Sequence, residues 1–299
     1  MNYKWIISDL DGTIIHHKGN ENIIYKEVIE SINSFIAEGG LFTIATGRHY
    51  KDVITIIENN KINFKDNFFI LGMNGGQIYS WGEKKLIINK CLPNEKLKDI
   101  KVTINELHNQ YRNKLLVFGY GENEKIYIIK DDTENFIKLK NEIIKYENNE
   151  KTFEYKEISL DELDGIKNIN KFCLAFKDLI DDPVKLLEDL SKINEEVVFI
   201  QTGPNFIEIM PVDVDKGNSS KYINDNFYKV PLEEIIAFGD SGNDIGLFKF
   251  SSKSVTRSCA PEYVKKEATC TYDDGPSMFV KSAIESCVLP KAKEKNNEQ

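Results

Sequence analysis

The chain has 299 residues, of which 41% are hydrophobic and 29% charged, so it can bury a core and its composition argues against disorder. Its formal net charge of −9 opposes binding to nucleic acid. The five cysteines form no CxxC pair, which argues against a disulfide framework or a zinc site and favours a reducing, cytoplasmic location. Because no run of 18 apolar residues occurs, no membrane partner is expected.

The first 82 residues alternate between predicted strands and helices. Short apolar runs predict strands at 4–8, 41–45 and 68–71. Apolar residues at helical spacing predict helices over 22–38 and 49–59. This β-α-β-α-β order predicts a parallel sheet with helices on both faces.

The pattern changes after about residue 82, where an edge strand at 86–89 is followed by a different mixture. Helices are predicted at 94–111, 134–146 and 182–193, and strands at 114–120, 125–130, 152–158, 171–176, 197–202 and 205–210. The four strands 114–120 with 125–130 and 197–202 with 205–210 read as two hairpins. Two hairpins with helices on one side predict an α+β module with an antiparallel sheet.

The α/β pattern returns near residue 212, with strands at 235–238 and 253–255 and helices between and after them. The predicted fold class is therefore α/β, a Rossmann-like parallel-sheet core with an inserted α+β cap domain. We assign 1–82 and 212–289 to the core and 83–211 to the cap. The polar tail 290–299 is expected to be disordered.

Two carboxylates follow the first predicted strand, in the segment Asp9-Leu10-Asp11-Gly12-Thr13. Alternate residues of an extended chain point the same way, so Asp9 and Asp11 can face one site while Leu10 faces the core. Such a pair suits a nucleophile and a general acid/base. The alternative is an Asp-rich turn with no chemical role.

Three further polar segments follow predicted strands. Thr46 and Gly47 offer a hydroxyl and backbone N–H groups where a helix begins, which suits an anionic oxygen, although Thr46 could be only a helix N-cap. Lys216 opens a later helix, although a single lysine is usually a surface residue. Asp240 and Asp244 are oxygen donors suited to Mg²⁺, although acids near a helix start can be caps. Since ligands of open α/β sheets bind beyond the carboxyl ends of the strands, the four segments can converge.

Together these segments resemble the haloacid dehalogenase-like (HAD) hydrolases, specifically the Cof-type phosphatases with a large C2-type cap. The matching segments are DLDGT, TGR, the lysine of DKG, GDSGND and the loop Met73-Asn74-Gly75-Gly76. The resemblance covers the core and implies a phosphoric monoester hydrolase acting on small phosphorylated metabolites, such as sugar phosphates or phosphorylated cofactors. One departure is Ser258-Cys259-Ala260, where relatives often have Gly-Asn-Ala; any contact of that asparagine is in doubt.

The resemblance also implies residue roles. Asp9 attacks phosphorus to form an aspartyl-phosphate, and Asp11 protonates the leaving alcohol and then deprotonates water. The residues implied for phosphate binding are Thr46, Gly47, Lys216 and Asn243. The residues implied for Mg²⁺ are Asp9, Asp11 through its backbone carbonyl, Asp240 and Asp244.

Two other functions stay open. A phosphomutase of the phosphomannomutase type would return the phosphoryl group to a sugar and would depend on a bisphosphate activator. A non-catalytic sensor of a phosphometabolite would keep the fold, but such proteins usually lose the nucleophile or the metal-binding acids, which this chain retains. For any of the three we expect a monomer or a weak homodimer.

Overall fold

The computed structural model describes residues 2–18, 21–131, 133, 135–147, 153–192, 197–203, 205–275 and 277–289. The tail predicted to be disordered, 290–299, lies outside these ranges. None of the helices within them combines the length and the apolar character that a membrane span requires.

The described residues form two main sheets, one small hairpin and nine α-helices. The strands are β1 (Trp5–Ser8), β2 (His16–Lys18), β3 (Glu21–Ile23), β4 (Leu41–Ala45), β5 (Phe69–Gly72), β6 (Gln77–Ser80), β7 (Lys85–Asn89), β8 (Leu115–Tyr120), β9 (Lys125–Ile129), β10 (Glu154–Ile158), β11 (Lys171–Phe176), β12 (Val197–Gly203), β13 (Phe206–Pro211), β14 (Ile235–Phe238), β15 (Lys253–Arg257) and β16 (Cys270–Tyr272). The helices are α1 (Lys26–Ala37), α2 (Tyr50–Asn59), α3 (Leu97–Gln110), α4 (Phe136–Glu147), α5 (Pro183–Ser191), α6 (Lys216–Ile223), α7 (Ile245–Phe250), α8 (Glu262–Lys265) and α9 (Met278–Ala283).

The larger sheet has eight strands in the order β16-β15-β14-β1-β4-β5-β6-β7. The first six are parallel, and β6 and β7 add an antiparallel edge. Successive residues of β1 enter different clusters, Ile6 with Phe35 and Phe42, and Trp5 and Ile7 with the opposite face. Burial on both faces is what a parallel sheet requires, and the predicted α/β class is confirmed.

The smaller sheet has six strands in the order β10-β9-β8-β11-β13-β12. Its pairs are antiparallel except β9 with β10, which are parallel. The prediction of an antiparallel sheet was therefore wrong for this one pair. The physical reason is that α4 connects β9 to β10 as a helical crossover, which returns the chain in the same direction.

The chain passes from the eight-stranded sheet to the six-stranded sheet after β7. This edge strand pairs with β6, so the eight-stranded sheet extends along the chain to Asn89. The chain returns to that sheet after β13, close to the predicted position 212. The division into a core of 1–82 and 212–289 and a cap of 83–211 stays a prediction.

The strands β2 and β3 near the chain start and β6 after the third predicted strand were not expected from the sequence. The segments β2 and β3 pair as a hairpin, so α1 begins four residues later than the predicted 22. The strand β6 was also missed, because it follows Gly75-Gly76 and begins with a polar glutamine that interrupts the apolar pattern.

Candidate active site

The predicted catalytic segments meet at one edge of the eight-stranded sheet. Strand β1 lies between the parallel neighbours β4 and β14, so their carboxyl ends lie side by side. Asp9 follows β1, Thr46 follows β4, and Asp240 lies two residues beyond β14. Lys216, the first residue of α6, reaches the same place. Four segments that are distant in sequence thus form a single site.

Three buried carboxylates are the centre of the site. Side-chain oxygens of Asp9, Asp240 and Asp244 lie within 4.8 Å of one another, and the residues are 4%, 6% and 0% exposed. Oxygens on opposite sides of a Mg²⁺ ion are about 4.2 Å apart, so the set fits a small divalent cation with little movement. Burial first, and then the neighbouring carboxylates, raises the pKa of Asp9 well above its ordinary value and that of Asp240 to about 6.

Lys216 supplies the positive charge beside this acidic set. Its fully buried Nζ donates to Asp9 Oδ1 at 2.6 Å and to Asp244 Oδ1 at 2.7 Å. Burial disfavours the charged form, but Asp244 and Asp9 outweigh it and raise the pKa of Lys216 above its ordinary value. The other Asp244 oxygen accepts from the backbone N–H groups of Asp240 and Ser241 at 2.9 and 3.0 Å, so Asp244 also fixes the loop that presents Asp240.

Gly12 allows the first loop to approach the acidic set. Its φ of +79° lies in the left-handed region that favours glycine. A Cβ added there would collide with the carboxylate of Asp240. The neighbouring Thr13 donates its hydroxyl to Asp240 Oδ1 at 3.3 Å, so this short turn both admits and orients the carboxylate.

The predicted phosphate-binding residues surround the same edge. Thr46 is 1% exposed, and its hydroxyl oxygen accepts from the Arg48 N–H at 3.2 Å. At Gly47, an added Cβ would lie 3.3 Å from Asn74 Oδ1, so a larger residue there would press on the Asn74 amide. Asn243 donates from Nδ2 to Asn74 Oδ1 at 2.9 Å. The Thr46 hydroxyl and the Asn74 and Asn243 amides thus lie on the loops that follow β4, β5 and β14, at the same edge of the sheet as the acids.

Asp11 is held differently from the other acids. Its carboxylate accepts from Arg48 Nε at 2.7 Å and Nη2 at 2.5 Å, and His17 Nε2 lies 3.2 Å from Oδ1. Burial alone would raise the pKa of Asp11, but Arg48 and His17 together hold it below its ordinary range. Neither Arg48 nor His17 was predicted as a partner. The TGR segment already placed Arg48 beside Thr46, which is a signal that could have identified it.

The model of the haloacid dehalogenase-like hydrolase family matches residues 6–276. The chain belongs to the haloacid dehalogenase-like hydrolases. The predicted resemblance to the Cof-type members is confirmed, and the match spans both the eight-stranded and the six-stranded sheet.

Relatives of this haloacid dehalogenase-like hydrolase align along nearly the whole chain. A Mycoplasma pneumoniae protein named "Putative phosphatase" is 26% identical over 283 residues, 94% of each chain. A Bacillus subtilis protein named 5-amino-6-(5-phospho-D-ribitylamino)uracil phosphatase is 26% identical, covering 89% of this chain and 91% of that protein. The predicted enzyme class, a phosphatase, is confirmed by the family together with these names.

Solved structures show the same fold. A haloacid dehalogenase-like hydrolase from Bacteroides thetaiotaomicron has a TM-score of 0.72 at 24% identity, covering 95% of this chain and 99% of that one. A sugar phosphatase of HAD subclass IIB has a TM-score of 0.74 at 19% identity, covering 94% of this chain and 100% of that one. At these identities the likeness concerns the fold.

The segment in which this hydrolase departs from the family pattern lies close to the acids. Arg257, just before the unusual Ser258-Cys259, donates from Nη2 to Asp240 Oδ2 at 2.5 Å. Cys259 is exposed, and the Ser258 N–H donates to the Tyr272 carbonyl at 2.9 Å. The cation beside Asp240 was missed, because nothing in the local sequence relates Arg257 to a carboxylate 17 residues away.

Proposed function

We propose that this hydrolase removes phosphate from small phosphorylated metabolites, with Asp9 as a covalent nucleophile and Mg²⁺ as the cofactor. The observation that carries the proposal is the convergence of Asp9, Lys216, Asp240 and Asp244 in one buried site. Asp9 and Asp240 offer oxygens to the cation, Asp244 supports them, and the backbone carbonyl of Asp11 completes the proposed set.

The reaction has two halves. An Asp9 oxygen attacks phosphorus, the bond from phosphorus to the leaving oxygen breaks with its electron pair, and Asp11 supplies the proton that forms the alcohol. Water then attacks phosphorus, its proton passes to Asp11, and the bond to Asp9 breaks to release inorganic phosphate. Because Arg48 and His17 hold Asp11 as a carboxylate, its work as an acid requires this pairing to open when substrate binds.

The charges around the site support this chemistry. Two like unit charges about 4 Å apart repel by roughly 4 kcal/mol at an effective dielectric of 20, so an anionic nucleophile needs cations to meet a phosphate. The Lys216 ammonium lies 2.6 Å from Asp9 and supplies one. A bound Mg²⁺ would supply the second and stabilise charge on the transferring phosphoryl group. Thr46, Gly47 and Asn243 are proposed to bind the phosphoryl oxygens.

The substrate class proposed is a phosphate ester of a sugar, a sugar alcohol or a related cofactor precursor. Two names support it, since the Bacillus subtilis relative is named for a phosphorylated ribityl compound and a structural neighbour is a sugar phosphatase. A phosphomutase is not favoured by these names. A non-catalytic sensor is not favoured, because the carboxylates of Asp9, Asp240 and Asp244 lie together and could hold a metal ion.

A colour assay with p-nitrophenyl phosphate tests the proposal. We expect release of nitrophenol with Mg²⁺, its loss on addition of EDTA, and no need for a sugar bisphosphate. Asp9→Asn should lower kcat on the order of 10⁴–10⁶-fold, as expected when a nucleophile is removed. The matched control is Asp225→Asn, since Asp225 is exposed and pairs with Lys221 at the surface. A wild-type protein that binds sugar phosphates without hydrolysing any would contradict the proposal.

A further inference from the structure

A buried ion pair lies outside the acidic set, on neighbouring strands of the six-stranded sheet. Lys171 on β11 and Glu208 on β13 are 3% and 7% exposed, and Lys171 Nζ lies 2.6 Å from Glu208 Oε1. Glu208 is opposite Cys173 in the register, and Lys171 is two residues from Cys173, so both charged side chains point to the same face. The reaction described above assigns a role to neither.

Both charged groups reach loops of the eight-stranded sheet. Lys171 Nζ donates to the Gly47 carbonyl oxygen at 2.9 Å, and Glu208 Oε2 accepts from Asn74 Nδ2 at 2.7 Å. The remaining side-chain oxygen of Asn74 accepts from Asn243 Nδ2 at 2.9 Å. Two hydrogen bonds therefore connect Glu208 to the amide that is proposed to bind phosphate.

The chemistry of these groups fixes the direction of the chain of bonds. An ionised carboxylate can only accept, so Glu208 selects the NH₂ side of the Asn74 amide and leaves its oxygen for Asn243. The Asn243 nitrogen gives one hydrogen to Asn74 and has a second for a phosphoryl oxygen. Without Glu208, the Asn74 amide could turn over and present its donor to another donor.

The loop that follows β4 and the loop that follows β5 are also joined through their backbones. The Asn74 N–H donates to the Thr46 carbonyl, and the Met73 N–H donates to the Arg48 carbonyl, both at 2.8 Å. Asn74 has a left-handed φ of 54°, which asparagine tolerates but which its surroundings must hold in place. A contact that anchors Asn74 therefore anchors the loops on both sides of the phosphate site.

We propose that Glu208, held by Lys171, is a positioning residue: it orients Asn74, Asn74 orients Asn243, and the six-stranded sheet thereby sets the geometry of the phosphate site. The role in turnover rests on the proposed function. A buried ion pair is weak evidence for stability, because its desolvation offsets much of its attraction, which leaves room for a positioning role.

Two matched double variants test the proposal. Lys171→Met with Glu208→Leu removes both buried charges together, which avoids an unpaired charge in the interior. Lys51→Met with Glu124→Leu removes a half-exposed ion pair, 2.6 Å apart, that joins α2 to the loop between β8 and β9. We expect kcat/KM for p-nitrophenyl phosphate to fall on the order of 10²-fold in the first, as for misplaced binding groups, and by less than about fivefold in the second.

Coupling to Asn74 separates positioning from a merely structural role. Asn74→Gly removes the amide but tolerates the left-handed backbone. In that background, Glu208→Leu should add little further effect, because both changes break the same chain of bonds from Glu208 to Asn243. Glu208→Gln keeps an acceptor for Asn74 and should retain more activity than Glu208→Leu. Additive effects of the Asn74 and Glu208 changes would overturn the proposal.

Hydrogen exchange gives a readout that does not depend on activity. We expect faster exchange at the backbone N–H groups of Met73 and Asn74 in the Lys171/Glu208 double variant, and wild-type rates in the Lys51/Glu124 double variant. Equal exchange in the two double variants would overturn the proposal. If the wild-type protein hydrolyses no phosphate ester, the proposed function is wrong, yet the exchange experiment still decides whether Glu208 positions Asn74.

Discussion

Lys216 places an ammonium group against two carboxylates of the candidate site, so replacing it tests the charge balance of the site directly. Lys216→Met leaves the buried carboxylates of Asp9 and Asp244 without the ammonium that both contact. We expect the free energy of unfolding to fall by about 3–5 kcal/mol and kcat to fall on the order of 10²–10³-fold. Urea unfolding and p-nitrophenyl phosphate kinetics measure these losses.

The control for this change lies on the same helix. Lys221 is exposed and pairs with Asp225, so Lys221→Met should change the free energy of unfolding by less than about 0.5 kcal/mol and leave kcat unchanged. Equal behaviour of the two methionine variants would show that the Lys216 ammonium does not stabilise the acidic set.

Gly12 offers a second prediction at the residue scale, because Gly39 provides a comparison with similar backbone. Their φ values are +79° and +94°, so alanine at either should cost about 1–2 kcal/mol in strain. At Gly12 the added Cβ also collides with the carboxylate of Asp240, whereas at Gly39 it meets no heavy atom of the described residues within 4 Å. We expect Gly12→Ala to lose phosphatase activity and Gly39→Ala to keep it, in assays at a temperature where both are folded. Retained activity in Gly12→Ala would mean that Asp240 tolerates displacement.

At the scale of elements, the start of α2 introduces a pH dependence. His49 precedes the helix, and its Nδ1 accepts from the Lys51 N–H at 3.3 Å. Burial, with smaller contributions from Lys51 and Lys171, lowers the pKa of His49 to about 3. The unfolded chain therefore binds this proton more readily than the folded one. The stability contributed is complete above about pH 6.5 and is lost as the pH falls towards 3, by up to about 1.4 kcal/mol per pH unit.

Replacing His49 by asparagine tests this effect, because asparagine is a good N-cap and does not titrate. Between about pH 7.5 and pH 5, we expect the free energy of unfolding to fall by about 2 kcal/mol more in the wild type than in His49→Asn. Urea titrations at the two pH values give the difference. Parallel losses in both proteins would show that His49 is protonated as readily in the folded state as in the unfolded chain.

The elements also show how far the sequence could predict the site. Strands β1, β4 and β14 are short apolar runs, and a polar group directly after each run identifies its place at the sheet edge. From the sequence alone, that local pattern predicts that Asp9, Thr46 and Asp240 lie at one edge of the sheet. The same logic cannot identify Arg257 beside Asp240 or Glu208 beside Asn74, since these pairs form only where separate loops and sheets meet. The parallel pairing of β9 with β10 was likewise not predicted, because it depends on the path of the helix that connects the two strands.

The candidate site lowers the stability of the whole folded molecule, and a bound cation should offset that loss of stability. Three carboxylates are buried within 4.8 Å of one another, and the raised pKa of Asp9 and of Asp240 reflects the cost of their ionisation there. An ion that binds only the folded chain, and not the unfolded one, raises the free energy of unfolding by about 2.7 kcal/mol at a hundredfold excess over its Kd. We therefore expect Mg²⁺ to raise the melting temperature by roughly 5 °C relative to EDTA.

Removal of one ligand should separate stability from cation binding. Asp240→Asn relieves the crowding of carboxylates but also removes the partner of Arg257, so we expect its melting temperature in EDTA to stay close to that of the wild type. Its response to Mg²⁺ should fall below about 1 °C. Asp213→Asn, which alters an exposed acid paired with Lys90, should keep the full response. Thermal melts of the three proteins with Mg²⁺ and with EDTA measure both quantities. A full response in Asp240→Asn would place the stabilising ion outside the acidic set, because an ion held by the Asp240 carboxylate would bind more weakly to an amide.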